Sequence, residues 1–270
     1  MSLSKRDKQG IGLMLAVATV VSGLFYFDYQ LTNKEKLGFD GCASRESRST
    51  VVLLDYTDSL SKQTRDEIES RAMAWVSDSV RQGERVSVFM ARAESVDSLE
   101  PAFSRCRPPE DGNGLIENRR RIRQGFDSAF KRPLREVLGT PKNASSQSPI
   151  AQAVIDLSLS RYMRADTLAL LVFSDLLEHN PPHFSLYGCV DDRSVVAQFR
   201  ASRTGMKERP EFKNLRVMLN LIPRGGLSKA SIKCRDALWL WFFGDDKGAL
   251  ARVELTFLPG GPKGERERVK

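Results

Sequence analysis

Apolar residues fall along this chain in three rhythms. The first is an unbroken run, GIGLMLAVATVVSGLFYF, over positions 10–27. The second comprises two shorter unbroken runs, VVLL at 51–54 and LALLVF at 168–173, each ending within two residues of an aspartate. A short continuous apolar run suits a strand covered on both faces, so strands are predicted over 51–57 and 167–175. The third rhythm alternates between periods of two and of about 3.6 residues. Val86, Val88 and Met90 predict a strand over 84–91, LRVMLNLIP another at 215–223, ARVELTFLP a last one at 251–259, and Phe103 an edge strand stopped by Pro108-Pro109. Ile68, Ala72, Trp75, Val76 and Val80 trace a helix face, as do Ile122, Phe126, Phe130, Leu134 and Leu138, and then Ile150, Ala153, Val154 and Leu157. A short helix over 194–202 and an aromatic one over 228–243, with Trp239, Trp241, Phe242 and Phe243 in its core-facing part, complete the set.

Strands alternating with helices predict an α/β fold: a doubly wound, mostly parallel sheet with helices on both faces. The layout reads as a basic segment at 1–9, a transmembrane anchor at 10–29, a polar stalk at 30–49, the α/β domain at 50–258 and a charged tail at 259–270. DGNG and NASSQSP bracket an insertion-like helical segment at 110–145. The anchor is at the lower end of the ~17–25 residues a spanning helix needs, and its tyrosines fall where an aromatic belt would lie. A cleaved signal peptide is the competing reading, weakened by the poor cleavage site at Val21-Ser22-Gly23. Lys5, Arg6 and Lys8 precede the span and Lys34, Lys36 and Arg45 follow it, so the positive-inside rule nearly ties. The slight lean is to a cytoplasmic N-terminus and an extracytoplasmic domain.

Composition changes this picture little. The chain has 270 residues, 41% hydrophobic and 28% charged, which suits a folded domain rather than a disordered tail. A net charge of +8 favours acidic partners without choosing among protein, membrane and nucleic acid. Cys42, Cys106, Cys189 and Cys234 show no CxxC spacing, which argues against a zinc ribbon or a thioredoxin-type site. Cys106 and Cys189 both fall in loops and form the candidate disulfide pair if the compartment is oxidising.

The chemistry gathers at the ends of the two apolar strands. Asp55, Thr57 and Ser59 leave the first at two-residue spacing, Asp175 ends the other, and Ser148 contributes a hydroxyl from the loop before Pro149. Ligands of such sheets bind beyond the carboxyl ends of the strands, which brings these oxygens to one edge. An all-oxygen set suits a hard cation, Mg²⁺ or Mn²⁺. This constellation resembles the metal-ion-dependent adhesion site of the von Willebrand factor A-domain family, to which the integrin inserted domains belong, over residues 50–258. The family pattern is Asp-x-Ser-x-Ser, a distant Thr and a further Asp. Here Thr57 stands for the first Ser and Ser148 for the Thr, with Ser146 as the alternative. The resemblance implies Thr57, Ser59 and Ser148 as direct ligands of one ion, with Asp55 and Asp175 acting largely through water. It also implies a module that binds another protein through that protein's acidic residue, here behind the membrane anchor expected at 10–29.

Other readings compete. In the competing structural reading, Ser61 or Thr64 caps the first helix and Ser148 the next. A domain of this fold lacking metal would be a structural scaffold of a membrane complex. Asp55 also resembles the nucleophile of haloacid dehalogenase phosphatases, but Thr57 stands where their second aspartate belongs. Glu178, His179 and His183 make a poor zinc site, because two prolines separate the histidines. No GxxxxGK[ST] motif is present, and ENRRRIRQGF reads as the solvated face of an amphipathic helix, so nucleic acid is not the expected partner.

Overall fold

The computed structural model describes residues 5–32, 37, 41–56, 60–91, 100–112, 117–140, 147–181, 183–210, 214–244 and 252–259, with the backbone alone at 5–9, 27–28, 30–32 and 252. Six strands form one sheet in the order β3-β2-β1-β4-β7-β8. They are β1 (Arg48–Leu54), β2 (Arg85–Met90), β3 (Phe103–Cys106), β4 (Thr167–Ser174), β7 (Leu215–Leu221) and β8 (Arg252–Phe257). All neighbours pair in parallel except the edge strand β3, which runs antiparallel to β2. The predicted mostly parallel sheet is therefore observed, with the expected edge strand. A two-stranded hairpin, β5 (His179–Asn180) and β6 (Phe184–Ser185), occupies the long loop after β4.

The unbroken apolar runs are explained by two cores, one on each face. Successive strand residues point to opposite faces, so Val51, Leu53, Leu170 and Val172 join one core and Val52, Leu54, Leu171 and Phe173 the other. Helices α5 (Ile150–Leu159), α6 (Val195–Ser202) and α7 (Lys229–Phe243) cover the first face. Helix α2 (Lys62–Asp78) covers the second through Ile68, Ala72 and Val76, beside α3 (Arg119–Phe126) and α4 (Arg132–Gly139). The aromatic run of α7 is core as expected, with Leu238, Trp239, Phe242 and Phe243 buried.

The segment at 119–139 is one helical rod with a π-helical turn at Asp127–Lys131. Pro133 supplies the cause: it has no N–H to give the Ala129 carbonyl, and its ring crowds the preceding turn. The backbone adapts with an Arg132 N–H bond to the Asp127 carbonyl, and the Arg105 guanidinium donates to the Ala129 carbonyl. Phe126, Phe130, Leu134 and Leu138 stay on one buried face throughout.

Two disulfides close the fold, Cys42–Cys106 and Cys189–Cys234. The expected Cys106–Cys189 pairing is wrong, and the direction of β3 is the reason. Because β3 is antiparallel, Cys106 lies opposite Arg85 at the rim where β2 begins. Cys189 belongs to the loop beyond the other rim, where β4 ends. Cys106 meets Cys42 just ahead of β1, and the Ala43 N–H donates to the Gly83 carbonyl at 3.0 Å beside it, so the chain is fastened to the domain before the first strand starts.

Residues 10–29 fall within a helix, α1 (Lys5–Thr32), whose described side chains, at 10–26 and Tyr29, are exposed. Among the described residues no helix is long and apolar enough to cross a membrane.

Candidate functional site

Strand order reverses between β1 and β4: β2 and β3 lie on one side of the pair, β7 and β8 on the other. Such a switch point opens a crevice beyond the strand ends, and Asp55 and Asp175 are the residues that leave β1 and β4 there. The Asp55 N–H donates to the Phe173 carbonyl at 2.9 Å, carrying the ladder one step past the strand and fixing the aspartate backbone.

Asp55 is 4% exposed. Its Oδ2 accepts two hydroxyl protons, from Ser148 Oγ at 2.8 Å and from Ser174 Oγ at 2.7 Å. Of the predicted site, Asp55, Ser148 and Asp175 thus converge on one rim. Thr57 and Ser59 lie outside the described residues, as do Asp58 and the alternative Ser146. Ser148 is held by a two-bond bridge to the hairpin, donating its N–H to the His179 carbonyl at 2.7 Å and accepting from the His179 N–H at 3.0 Å.

The capping alternative splits in two. Ser61 does cap α2, accepting from the Thr64 N–H at 3.1 Å. Ser148 caps nothing: Pro149 is the N-cap of α5, and it makes no side-chain cap bond. The buried Glu178 does that work instead, accepting from the Ala151 N–H at 2.8 Å. His179, one of the three residues of the weak zinc reading, hydrogen-bonds Ser185 Oγ through its Nδ1 at 2.8 Å within the hairpin. Among the described residues no three His, Cys, Asp or Glu side chains group as a metal site.

Ser174, which the sequence pattern does not single out, belongs to the same cluster. Besides its bond to Asp55, its Oγ accepts from the Leu176 N–H at 2.8 Å. Leu176 has a positive φ of 58°, costly for a branched side chain. Three contacts hold it: the Ser174 bond, burial of its side chain, and a 2.7 Å bond from Trp239 Nε1 to its carbonyl. The sharp turn sends the chain across the rim immediately after Asp175. A serine interrupting an otherwise apolar strand was the available signal.

Arg224, just past β7, also reaches the rim with no signal in the sequence pattern. Its Nη1 donates to Asp175 Oδ2 at 2.6 Å, while Asp175 Oδ1 accepts from the Leu177 N–H at 2.9 Å. Burial, and then the neighbouring Asp55 charge, push the Asp175 carboxyl up to about 6 in spite of Arg224. The Arg224 guanidinium also lies 5.0 Å from the centre of the Tyr187 ring, whose own centroid is 4.9 Å from that of His179.

Burial pushes the Glu178 carboxyl further, to about 8, against the opposing pull of the Ala151 N–H and the Arg203 charge. The folded protein therefore keeps a proton that the unfolded chain releases near 4.5. Stability from this group is complete at pH 4 and is lost as pH rises toward about 8. Glu178→Gln keeps an oxygen for Ala151 and removes the titration. The urea midpoint should fall between pH 5 and pH 8 in the wild type and fall clearly less in the variant. Equal slopes would contradict this assignment.

No family model matches the chain, and no curated protein matches it. Among solved structures it is similar to the ArnB paralog VWA2 of Sulfolobus acidocaldarius, with TM-score 0.37 and 9% identity over 78% of this chain and 41% of that one. It is similar to the human COPII-coat protein Sec24c, with TM-score 0.37 and 9% identity over 85% of this chain and 32% of that one. A third is an aerotolerance-related membrane protein of Bacteroides fragilis, with TM-score 0.28 and 12% identity over 74% and 78%. The chain spans less than half the length of the first two. The fold described above rests on strand order and register alone.

Proposed function

We propose that this chain is a membrane-anchored protein-binding module whose rim at β1 and β4 holds one Mg²⁺ or Mn²⁺ and captures an acidic residue of a partner protein. The convergence of Asp55, Ser148 and Ser174, with Asp175 beside them, carries the reading. The donors are carboxylates and hydroxyls, which fit a hard cation. Ser148 contributes a hydroxyl directly, Asp55 and Asp175 contribute charge, and Thr57 and Ser59 are the further donors on the strength of their spacing after Asp55. A bound divalent ion supplies positive charge and an open position for the partner carboxylate.

Charge balance supports the need for such an ion. Counted over Asp55, Asp175 and Arg224 alone, the charge is one net negative, which would repel an acidic partner. A divalent cation reverses that sign. Anchoring rests on the apolar run at 10–27 within α1, and an extracytoplasmic side on the two disulfides, which persist in oxidising compartments.

The test is capture of partner protein from solubilised membranes by the full chain, in Mg²⁺ and in chelator. Capture should be lost in chelator and restored by Mn²⁺. Equal capture in both would favour the second reading, a metal-free scaffold of a membrane complex, to which the Arg224–Asp175 pair already lends support.

A further inference from the structure

We propose that Arg224 is the rim's own counter-cation: it competes with a divalent ion for Asp175 and so sets how tightly the site takes Mg²⁺ or Mn²⁺. The inference rests on the divalent-ion reading and adds a residue to it.

Three observations support it. The first is position. Arg224 reaches the rim from the loop after β7, and its Nη1 sits 2.6 Å from Asp175 Oδ2, within the distance of a charge-assisted hydrogen bond. The second is burial. The Asp175 side chain is 12% exposed and stands beside a second carboxylate, so a negative charge there needs a counter-charge, and Arg224 provides the only one paired with it among the described residues. A divalent ion would answer the same need, and two cations drawn to one small carboxylate pair repel each other. The third is an alternative seat. The Tyr187 ring lies 5.0 Å from the guanidinium carbon, close enough to hold the cation once the carboxylate is released.

The competition has a geometric consequence. Tyr187 packs edge-on against His179, and His179 is bridged through its backbone to Ser148. Arg224, Tyr187, His179 and Ser148 thus form a continuous chain of contacts around the rim. Moving the guanidinium off Asp175 would be felt by the hairpin that positions the Ser148 hydroxyl.

The test is calorimetric titration of the full chain in detergent with Mg²⁺ and with Mn²⁺, on the wild type and three variants. Arg224→Met removes charge and hydrogen bond. Arg224→Gln removes charge but keeps a donor for Asp175, which protects the reading if the methionine variant folds poorly. Arg224→Lys keeps the charge. Both neutral variants should bind the ion about tenfold more tightly or better, with the lysine variant within about threefold of wild type. Their thermal midpoints should also rise more on adding Mg²⁺ than the wild-type midpoint does, because the ion replaces the missing counter-charge. If the wild type binds and the neutral variants bind no more tightly, the counter-cation role is overturned and the divalent-ion reading stands. If no form binds at millimolar concentration, both fall together.

Discussion

Reduction of the two disulfides should leave a domain that is barely folded at 37 °C. Cys42–Cys106 spans 64 residues of sequence and Cys189–Cys234 spans 45. Closing loops of those lengths in the unfolded chain is worth about 4 kcal/mol each in the chain-entropy model, and measured values commonly fall at about 2–4. The two loops do not overlap in sequence, so their effects should add. A combined loss of about 4–8 kcal/mol compares with a total of about 5–15 for an ordinary domain. The denaturant midpoint should drop sharply in reductant, and each pair replaced by serines should reproduce roughly half of the drop. A midpoint insensitive to reductant would mean that the pairs do not form. The first pair matters beyond stability, since it joins the segment following α1 to the edge strand and fixes which rim faces the entering chain.

Much of this fold could be read directly. The runs at 51–54 and 168–173 are apolar without alternation because both faces are covered, and they are the two central strands β1 and β4. The helix stripe of Phe126, Phe130, Leu134 and Leu138 was readable from its four-residue spacing. The π-helical turn within it was harder, since it depends on how Arg105 from β3 compensates the carbonyl that Pro133 leaves open. Disulfide partners were not legible, because pairing depends on the rim to which each cysteine is delivered. That in turn depends on the antiparallel direction of one four-residue strand.

At the site, the aspartates were legible because each follows an apolar run at a strand end. Ser148 was legible as a hydroxyl in the right loop, though its choice over Ser146 rested on no sequence signal. Arg224 was not. A salt bridge between residues 49 positions apart requires two loops from neighbouring strands to face each other. Glu178 stands beside two histidines in the sequence, yet its work is to receive the Ala151 N–H at the start of α5. Buried polar groups find partners through topology, which local pattern does not encode.

The second large effect belongs to Asp55. Asp55→Ala removes one of the two rim carboxylates and the acceptor for both Ser148 and Ser174. Ser174 keeps its bond from Leu176, so the turn after β4 should survive. Hydrogen bonds to a charged group are worth about 1.5–3 kcal/mol each, and part of that loss should appear as a lowered thermal midpoint. Divalent binding should suffer more. With the hydroxyl of Ser148 no longer oriented and half the negative charge gone, affinity should fall about a hundredfold. Asp55→Asn, which keeps the shape and one acceptor, should retain most of the stability while losing comparable affinity. That separation would assign the charge of Asp55 to ion binding rather than to folding.

The most direct measurement is an anomalous difference map from crystals of the full chain grown in Mn²⁺, collected for the wild type and for Asp55→Ala. The account predicts one strong peak beside the Ser148 hydroxyl at the rim between β1 and β4, absent in the variant. A wild-type map with no peak there, and with Ser148 and Ser174 still donating to Asp55 and Arg224 still on Asp175, would contradict it.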